Sequence, residues 1–278
     1  MAISRAELLS QARQAGERLY VEWIEPLAVA EGREAGAWAV ALAGSGATGY
    51  RDASSRLDLL VTGPAAGVNA LRRRLPARPG RGGPGTCHKL PAWAGGGKLV
   101  LLTWDELESE AGAATEAVVA LLASAEPLFD PAGRVRGVMD QLFPLPAAWY
   151  GARIRERYRC VRRRTASIAW NLRRGQAFAF LASFVEWLDH VLHLCLYTDQ
   201  QPPVDRKWLL QAAMRTTLGR ALRADLYDLF SRLGEVATLG GSYDPRENRL
   251  YNAIAGVHGR LAAALRERGL LEKREDPA

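Results

Sequence analysis

Hydrophobic spacing divides the chain into two differently patterned halves. Residues 4–24 predict an opening helix, with Leu8, Leu9, Leu19 and Trp23 as apolar positions. Ser4 followed by Glu7 has the spacing of a capping box, and Pro26 is expected to end the helix. Two short apolar runs, Trp38 to Leu42 and Leu57 to Val61, suit buried strands, and Lys98 to Thr103 suits a third. Between them, residues 64–97 carry Arg72-Arg73-Arg74 and a Pro/Gly-rich stretch ending at Gly95-Gly96-Gly97, which predicts a long connection with His88 exposed on it. Thr103 with Glu106 predicts a second capping box, opening a helix interrupted at Gly112 and resumed through an Ala/Val-rich stretch to Leu122. Pro127 to Gly133 reads as a short strand or turn.

From Arg134 onward the strand pattern stops. Three to six helices fit, with breaks near Pro144–Pro146, Arg174-Gly175, Pro202-Pro203, Gly219 and Gly240-Gly241. The segment 176–197 is apolar almost all round. The expected class is therefore α+β, with a mixed sheet and helices over 1–133 and an all-α helical bundle over 134–278. No internal repeat is evident.

Composition adds limits. At 48% apolar and 24% charged residues, the chain is ordinary globular material with enough apolar surface for a sizeable core. No apolar run approaches the roughly 18 residues of a membrane span, and no basic stretch leads into an apolar one at the start, so a cytoplasmic protein without membrane contact is expected. Cys87, Cys160 and Cys195 are widely spaced and odd in number, which argues for reduced thiols over zinc or redox chemistry. The net charge of +7 favours an anionic partner. Nine arginines fall between Arg153 and Arg174, but Arg153, Arg155, Arg157 and Arg159 alternate, which scatters them around a helix. A solvated helix side explains them better than a nucleic-acid groove, which needs one basic stripe with exposed aromatics.

Candidate chemistry concentrates in the run from Ala41 through Gly44-Ser45-Gly46 and Gly49 to Ser55-Arg56-Leu57-Asp58-Leu59. A strand enters a Gly-Ser turn whose backbone N–H groups a phosphate chain can approach, since Gly44 and Gly46 carry no side chain. Asp58, bounded by leucines, is costly to point into a dry core and should face a site, where it can ligate the Mg²⁺ that accompanies a triphosphate.

This arrangement resembles the nucleotidyltransferase superfamily of polymerase-β-like fold, which includes aminoglycoside and lincosamide adenylyltransferases and minimal nucleotidyltransferases. That family shows an apolar strand, Gly-Ser, a further Gly, then Ser-Asp-x-Asp. Gly44, Ser45, Gly49, Ser55 and Asp58 match it. Tyr197, Pro202, Pro203, Lys207 and Trp208 resemble the family's helical domain, where a long helix ends at Tyr before a Pro-containing turn and Lys-Trp. The resemblance implies a nucleotidyltransferase-type sheet followed by the helical domain, with a nucleoside triphosphate and Mg²⁺ as ligands and a small-molecule hydroxyl as acceptor. It also implies that Asp58 is metal ligand and catalytic residue, that Gly44 and Ser45 cradle phosphates, and that a carboxylate of the helical domain activates the acceptor. Glu186 is the choice for that last role, with Lys207 reaching a phosphate.

The departures are equally specific. Arg56 stands where the first aspartate belongs, and Lys98 to Leu102 has no third carboxylate; Asp105 and Glu106 follow it but read better as helix-start charges. Asp52 lies in the loop, unplaced by the sequence. Two-metal transfer uses ions about 4 Å apart bridged by acids. An arginine about 4 Å from one ion adds repulsion of order 4 kcal/mol at an effective dielectric near 20. Arg56 therefore points away, or it replaces an ion and contacts phosphate oxygens itself.

Along 176–197 runs a thin polar stripe of Glu186, Asp189 or His190, His193 and Tyr197. It reads as a solvent face, or as acid–base machinery. The glycine runs at 80–83 and 95–97 lack the Gly-Lys-Ser/Thr ending of a P-loop. Two functions stay open: nucleotidyl transfer to a small-molecule hydroxyl, or a catalytically silent relative that binds a nucleotide, another anion or a protein. Acceptor, base and oligomeric state are not readable.

Overall fold

A computed structural model describes residues 5–30, 35–44, 57–75, 85–90, 97–234, 244 and 247–271. The chain divides into two compact units, Met1–Pro144 and Leu145–Ala278. The class is α+β, with a mixed sheet and helices first and helices alone in the described part of the second unit.

In the first unit, helix α1 (Arg5–Leu19) buries Leu8, Ala12, Ala15 and Leu19. Pro26 does not end the helical path. A π turn (Tyr20–Ile24) precedes α2 (Glu25–Ala30), and the Glu25 N–H bonds to Tyr20 O, five residues back. Pro26 then falls in the first turn of α2, where its missing N–H costs little. Ser4 lies outside the described residues.

Among the described residues five strands follow: β1 (Ala39–Ala43), β2 (Asp58–Gly63), β3 (Thr86–Lys89), β4 (Lys98–Thr103) and β5 (Glu126–Phe129), in the order β3-β4-β2-β1-β5. β1 is antiparallel to β2 and β5, β3 is antiparallel to β4, and β2 and β4 are parallel. The central strands are buried on both faces, so β2 reads as a continuous apolar run after Asp58. Val40, Leu42, Leu59, Val61, Leu99 and Leu101 join α1 and helix α3 (Ala65–Arg74) in one core. Pro127 is tolerated because β5 is an edge strand.

The expected connection over 64–97 is only partly a connection. It contains α3, whose Val68 and Leu71 are buried, and β3, on which His88 is buried rather than exposed. A parallel pair such as β2 and β4 needs a crossover, and α3 supplies it. Trp38 fills the space beside α3: a methyl on Gly63 would lie 2.3 Å from its ring, and one on Gly67 2.4 Å.

Helix α4 (Trp104–Gly112) opens with the expected capping box at Thr103 and Glu106. Helix α5 (Glu116–Leu122) resumes after the break that follows Gly112. Helix α6 (Arg134–Leu142) belongs to the first unit: Arg134 pairs with Glu108 of α4 at 2.6 Å and its guanidinium lies 4.4 Å from the Trp104 ring. By compactness, α6 falls in the unit Met1–Pro144.

The second unit contains α7 (Ala147–Arg173), α8 (Ala177–Thr198), α9 (Arg206–Ala213), α10 (Thr217–Ser231) and α11 (Arg249–Glu267). Tyr150, Ile154, Tyr158, Val161, Thr165, Ile168 and Leu172 form the buried stripe of α7, and the arginines take the remaining positions around it. α7 and α8 pack as a hairpin in which Asn171 Nδ2 donates to Ala179 O at 3.0 Å and Ser183 Oγ at 3.1 Å. By length and composition α8 is apolar enough to cross a membrane, contrary to the expectation that no segment is. Within the unit it has the burial of a central bundle helix, with Phe180, Phe184, Trp187, Val191 and Leu194 enclosed. The break expected near Gly219 falls just before it, between α9 and α10. Gly219 itself sits in the first turn of α10, where a methyl would meet Ala213 O at 1.8 Å, and its N–H caps onto Thr216 Oγ1.

Candidate functional site

In the first unit the site is built by the antiparallel pairing of β1 with β2. The register sets Ala43 opposite Asp58, so Gly44, the next residue, turns directly over the carboxylate. Gly44 has φ +64°, in the left-handed region, and a methyl on it would stand 2.6 Å from Asp58 Oδ2. Both the conformation and the close approach therefore call for glycine. Two residues read from the sequence as one site do stand together.

Asp58 is half-buried at the start of β2, and its Oδ1 accepts the backbone N–H of Lys98 at 3.1 Å. Lys98 is its register partner on the parallel strand β4, so the two side chains share a face of the sheet. Where a further carboxylate was sought, β4 thus presents a lysine. Glu106 is committed elsewhere: its Oε2 accepts from Thr103 N at 2.8 Å and from Arg72 Nη2 at 2.6 Å. Burial opposes the Glu106 charge, but these donors outweigh it and hold the carboxyl below its usual range. Asp105 is exposed in the first turn of α4. Among the described residues no group of three or more His, Cys, Asp or Glu side chains is arranged to hold a metal. Ser45, Gly49, Asp52, Ser55 and Arg56 lie outside the described residues.

The remaining predicted residues belong to the second unit. Glu186 is on an exposed face of α8, ion-paired with Arg164 of α7. Lys207 is exposed at the start of α9, where its N–H bonds to the Asp205 cap at 3.1 Å and its ammonium lies 5.7 Å from the Trp208 ring. Tyr197 is not on a wet stripe; it is buried edge-on to Trp149 at 5.6 Å.

Sequence reasoning missed how the rest of the stripe is used. Asp189 is half-buried, with Arg157 Nη1 at 3.7 Å, His193 Nδ1 at 3.3 Å and Arg206 Nε at 3.4 Å. Burial opposes its charge, yet His193, Arg157 and Arg206 together keep the carboxyl below the usual range. His190 Nδ1 lies 3.0 Å from Arg157 Nη1, and burial with that guanidinium pushes its imidazole pKa down. The i,i+4 spacing of Asp189 and His193 was a visible signal; the contribution of Arg157 needed the helix hairpin.

Comparison with protein-family models gives no match, and comparison with curated proteins gives none. Among solved structures, the chain is similar to a nucleotidyltransferase-like protein from Exiguobacterium sibiricum 255-15. The identity is 15%, the alignment covers 92% of this chain and 76% of that one, and the TM-score is 0.48. A likeness of that degree lies below what establishes a common fold.

Proposed function

We propose that this chain binds a nucleoside triphosphate at the β1–β2 turn, as a protein built on the nucleotidyltransferase plan. The observation that carries the reading is the seating of the Gly44 turn against the Asp58 carboxylate. A turn without a side chain admits phosphate oxygens to backbone N–H groups, and a carboxylate beside it suits the cation that accompanies them.

The donor set decides what kind of site this is. One Mg²⁺ fits, since that ion is commonly held by one or two carboxylates together with substrate phosphates, and Asp58 would be the residue that holds it. Bound there, the ion would neutralise phosphate charge. A two-ion centre does not fit the described residues, because the neighbouring strand offers Lys98 in place of an acid. Lys98 and Arg56 are cations suited to phosphate oxygens directly.

Lys98 also favours the silent binder over the transferase. In the transferase reading, an acceptor hydroxyl oxygen bonds to the α-phosphorus, the bond to the β-phosphate oxygen breaks, pyrophosphate leaves, and the hydroxyl proton passes to a base. Glu186, the candidate base of that reading, is ion-paired with Arg164.

Calorimetric and thermal-shift titrations with ATP, in EDTA and in Mg²⁺, test both. Saturation near 100 times Kd should stabilise the protein by about 2.7 kcal/mol, and Asp58→Ala should abolish the Mg²⁺-dependent share. Absence of a nucleotide response in either condition overturns the proposal. Pyrophosphate release in the presence of hydroxyl acceptors selects the transferase.

A further inference from the structure

The end of the α7–α8 hairpin combines exposed apolar side chains with basic ones. Among the described residues seven large apolar side chains are exposed, and four of them lie here: Trp170, Phe178, Leu181 and Val185. Phe178 is the extreme case, at 86%. Asn171 Nδ2 donates to Ala179 O at 3.0 Å, so Trp170 and Phe178, the chain neighbours of that bonded pair, are held at the same end of the hairpin. Phe178, Leu181 and Val185 follow at i, i+3 and i+7, which is one face of α8 over about 10 Å. Phe180, Phe184 and Trp187 are enclosed on a different face, so α8 carries a second apolar stripe that faces outward. Charge gives this stripe its character. From Arg157 to Val185 the chain has seven arginines and no acidic residue. Arg157 and Arg164 reach Asp189 and Glu186. Arg173 and Arg174 are exposed at the turn itself, with the Arg174 guanidinium 4.5 Å from the Trp170 ring.

We propose that this hairpin tip docks on an anionic lipid bilayer, independently of the nucleotide site at the β1–β2 turn. The stripe of Phe178, Leu181 and Val185 enters the boundary between headgroups and acyl chains, and Trp170 sits at headgroup level, where indoles are enriched. Arg173 and Arg174 meet the anionic headgroups, so apolar and electrostatic attraction act at one place. The contact is peripheral: α8 is apolar enough to span, but Phe180, Phe184 and Trp187 are committed to the bundle. The same charges disfavour a second copy of this chain, because a symmetric contact through the tip would set arginine against arginine. They suit a nucleic acid, but aliphatic Leu181 and Val185 give a base nothing to stack on, and Arg174 already lies over the Trp170 ring.

The test is flotation of the full chain with vesicles of phosphatidylcholine alone, and of phosphatidylcholine with about one third phosphatidylserine. Binding to the anionic vesicles that weakens with salt, and little binding to the neutral ones, is expected. Phe178→Ser alters an exposed side chain and should weaken binding at least about tenfold, and Arg173→Gln combined with Arg174→Gln should do the same. Tyr227→Ser, at an exposed aromatic of α10, should leave binding little changed, as should Arg73→Gln combined with Arg74→Gln, an equal loss of charge on α3. Asp58→Ala should bind vesicles as the parent does, so failure of the nucleotide site leaves this result intact. No vesicle binding, or equal weakening by the two arginine pairs, overturns the proposal. So does retention of a single-stranded RNA probe without vesicle binding, or a dimer in sedimentation that Phe178→Ser dissociates.

Discussion

Replacement of Gly44 by alanine measures how tightly the β1–β2 turn is tied to Asp58. Two costs add. Holding a non-glycine residue at φ +64° takes about 1–2 kcal/mol. The new methyl would also stand 2.6 Å from Asp58 Oδ2, well inside van der Waals contact, so the carboxylate must move. Moving it stretches the bond from Lys98 N–H to Oδ1, now 3.1 Å, and a hydrogen bond to a charged group contributes about 1.5–3 kcal/mol. Asp58 is only half-buried and water replaces part of that loss, so the sum is about 3 kcal/mol. Against the roughly 5–15 kcal/mol of a typical domain, this is a large fraction. The assay is a double-mutant cycle by urea denaturation over Gly44→Ala, Asp58→Ala and both together. With alanine at 58 the carboxylate contact is gone and only the Cβ of residue 58, 3.2 Å from the new methyl, remains, so Gly44→Ala should cost little more than the backbone share, about 1–2 kcal/mol. An equal cost of Gly44→Ala in both backgrounds would refute the seating of the turn on the carboxylate.

Two further outcomes follow from other parts of the chain. Glu106→Ala removes the acceptor of the Thr103 N–H, one half of the α4 capping box, and the partner of Arg72, and should destabilise by about 1 kcal/mol at neutral pH, given that the pair is partly solvated. Because the folded-state pKa of Glu106 is depressed, its contribution is complete above the ordinary carboxylate range and fades as pH falls through the lowered value. Urea midpoints of parent and variant should therefore converge in acid; a gap that stays constant with pH contradicts the charge-assisted role. Burial pushes the Cys195 thiol up to about 12, so only about one part in ten thousand is thiolate at pH 8. Iodoacetamide mapping of the native chain should leave Cys195 unmodified, and its labelling before unfolding would show that α8 is not enclosed as described.

Legibility differed with the kind of physics involved. Strands β1, β2 and β4 were readable because buried central strands are uninterrupted apolar runs, and the Thr103–Glu106 cap was readable because its spacing is local. Helix α3 was missed although its signals were present: Val68, Leu71 and Leu75 at helical spacing, and three arginines in the last turn. The Pro/Gly-rich stretch after it drew the whole segment into one connection. Pro26 misled because a π turn upstream moved the proline into a new first turn, a tertiary adjustment without a sequence rule. At the site, the company of Gly44 and Asp58 was legible from the motif. The placement of Lys98 beside Asp58 was not, since it depends on parallel register between strands 40 residues apart. The Asp189 cluster likewise draws on three helices, and only its α8 members were visible as a stripe.

The indole of Trp38 ties three distant positions into one substitutional unit. Its ring occupies the volume where side chains would begin at Gly63, the end of β2, and at Gly67, in the first turn of α3. Neither glycine can gain a carbon while the tryptophan stays, and loss of the tryptophan opens a void under both. Homologous chains that diverge here are therefore constrained to change in concert: a bulkier residue at 63 or 67 accompanied by a smaller one at 38. That correlated exchange would keep the crossover helix at its present distance from the strand that carries Asp58, so drift in the scaffold need not disturb the carboxylate at its other end.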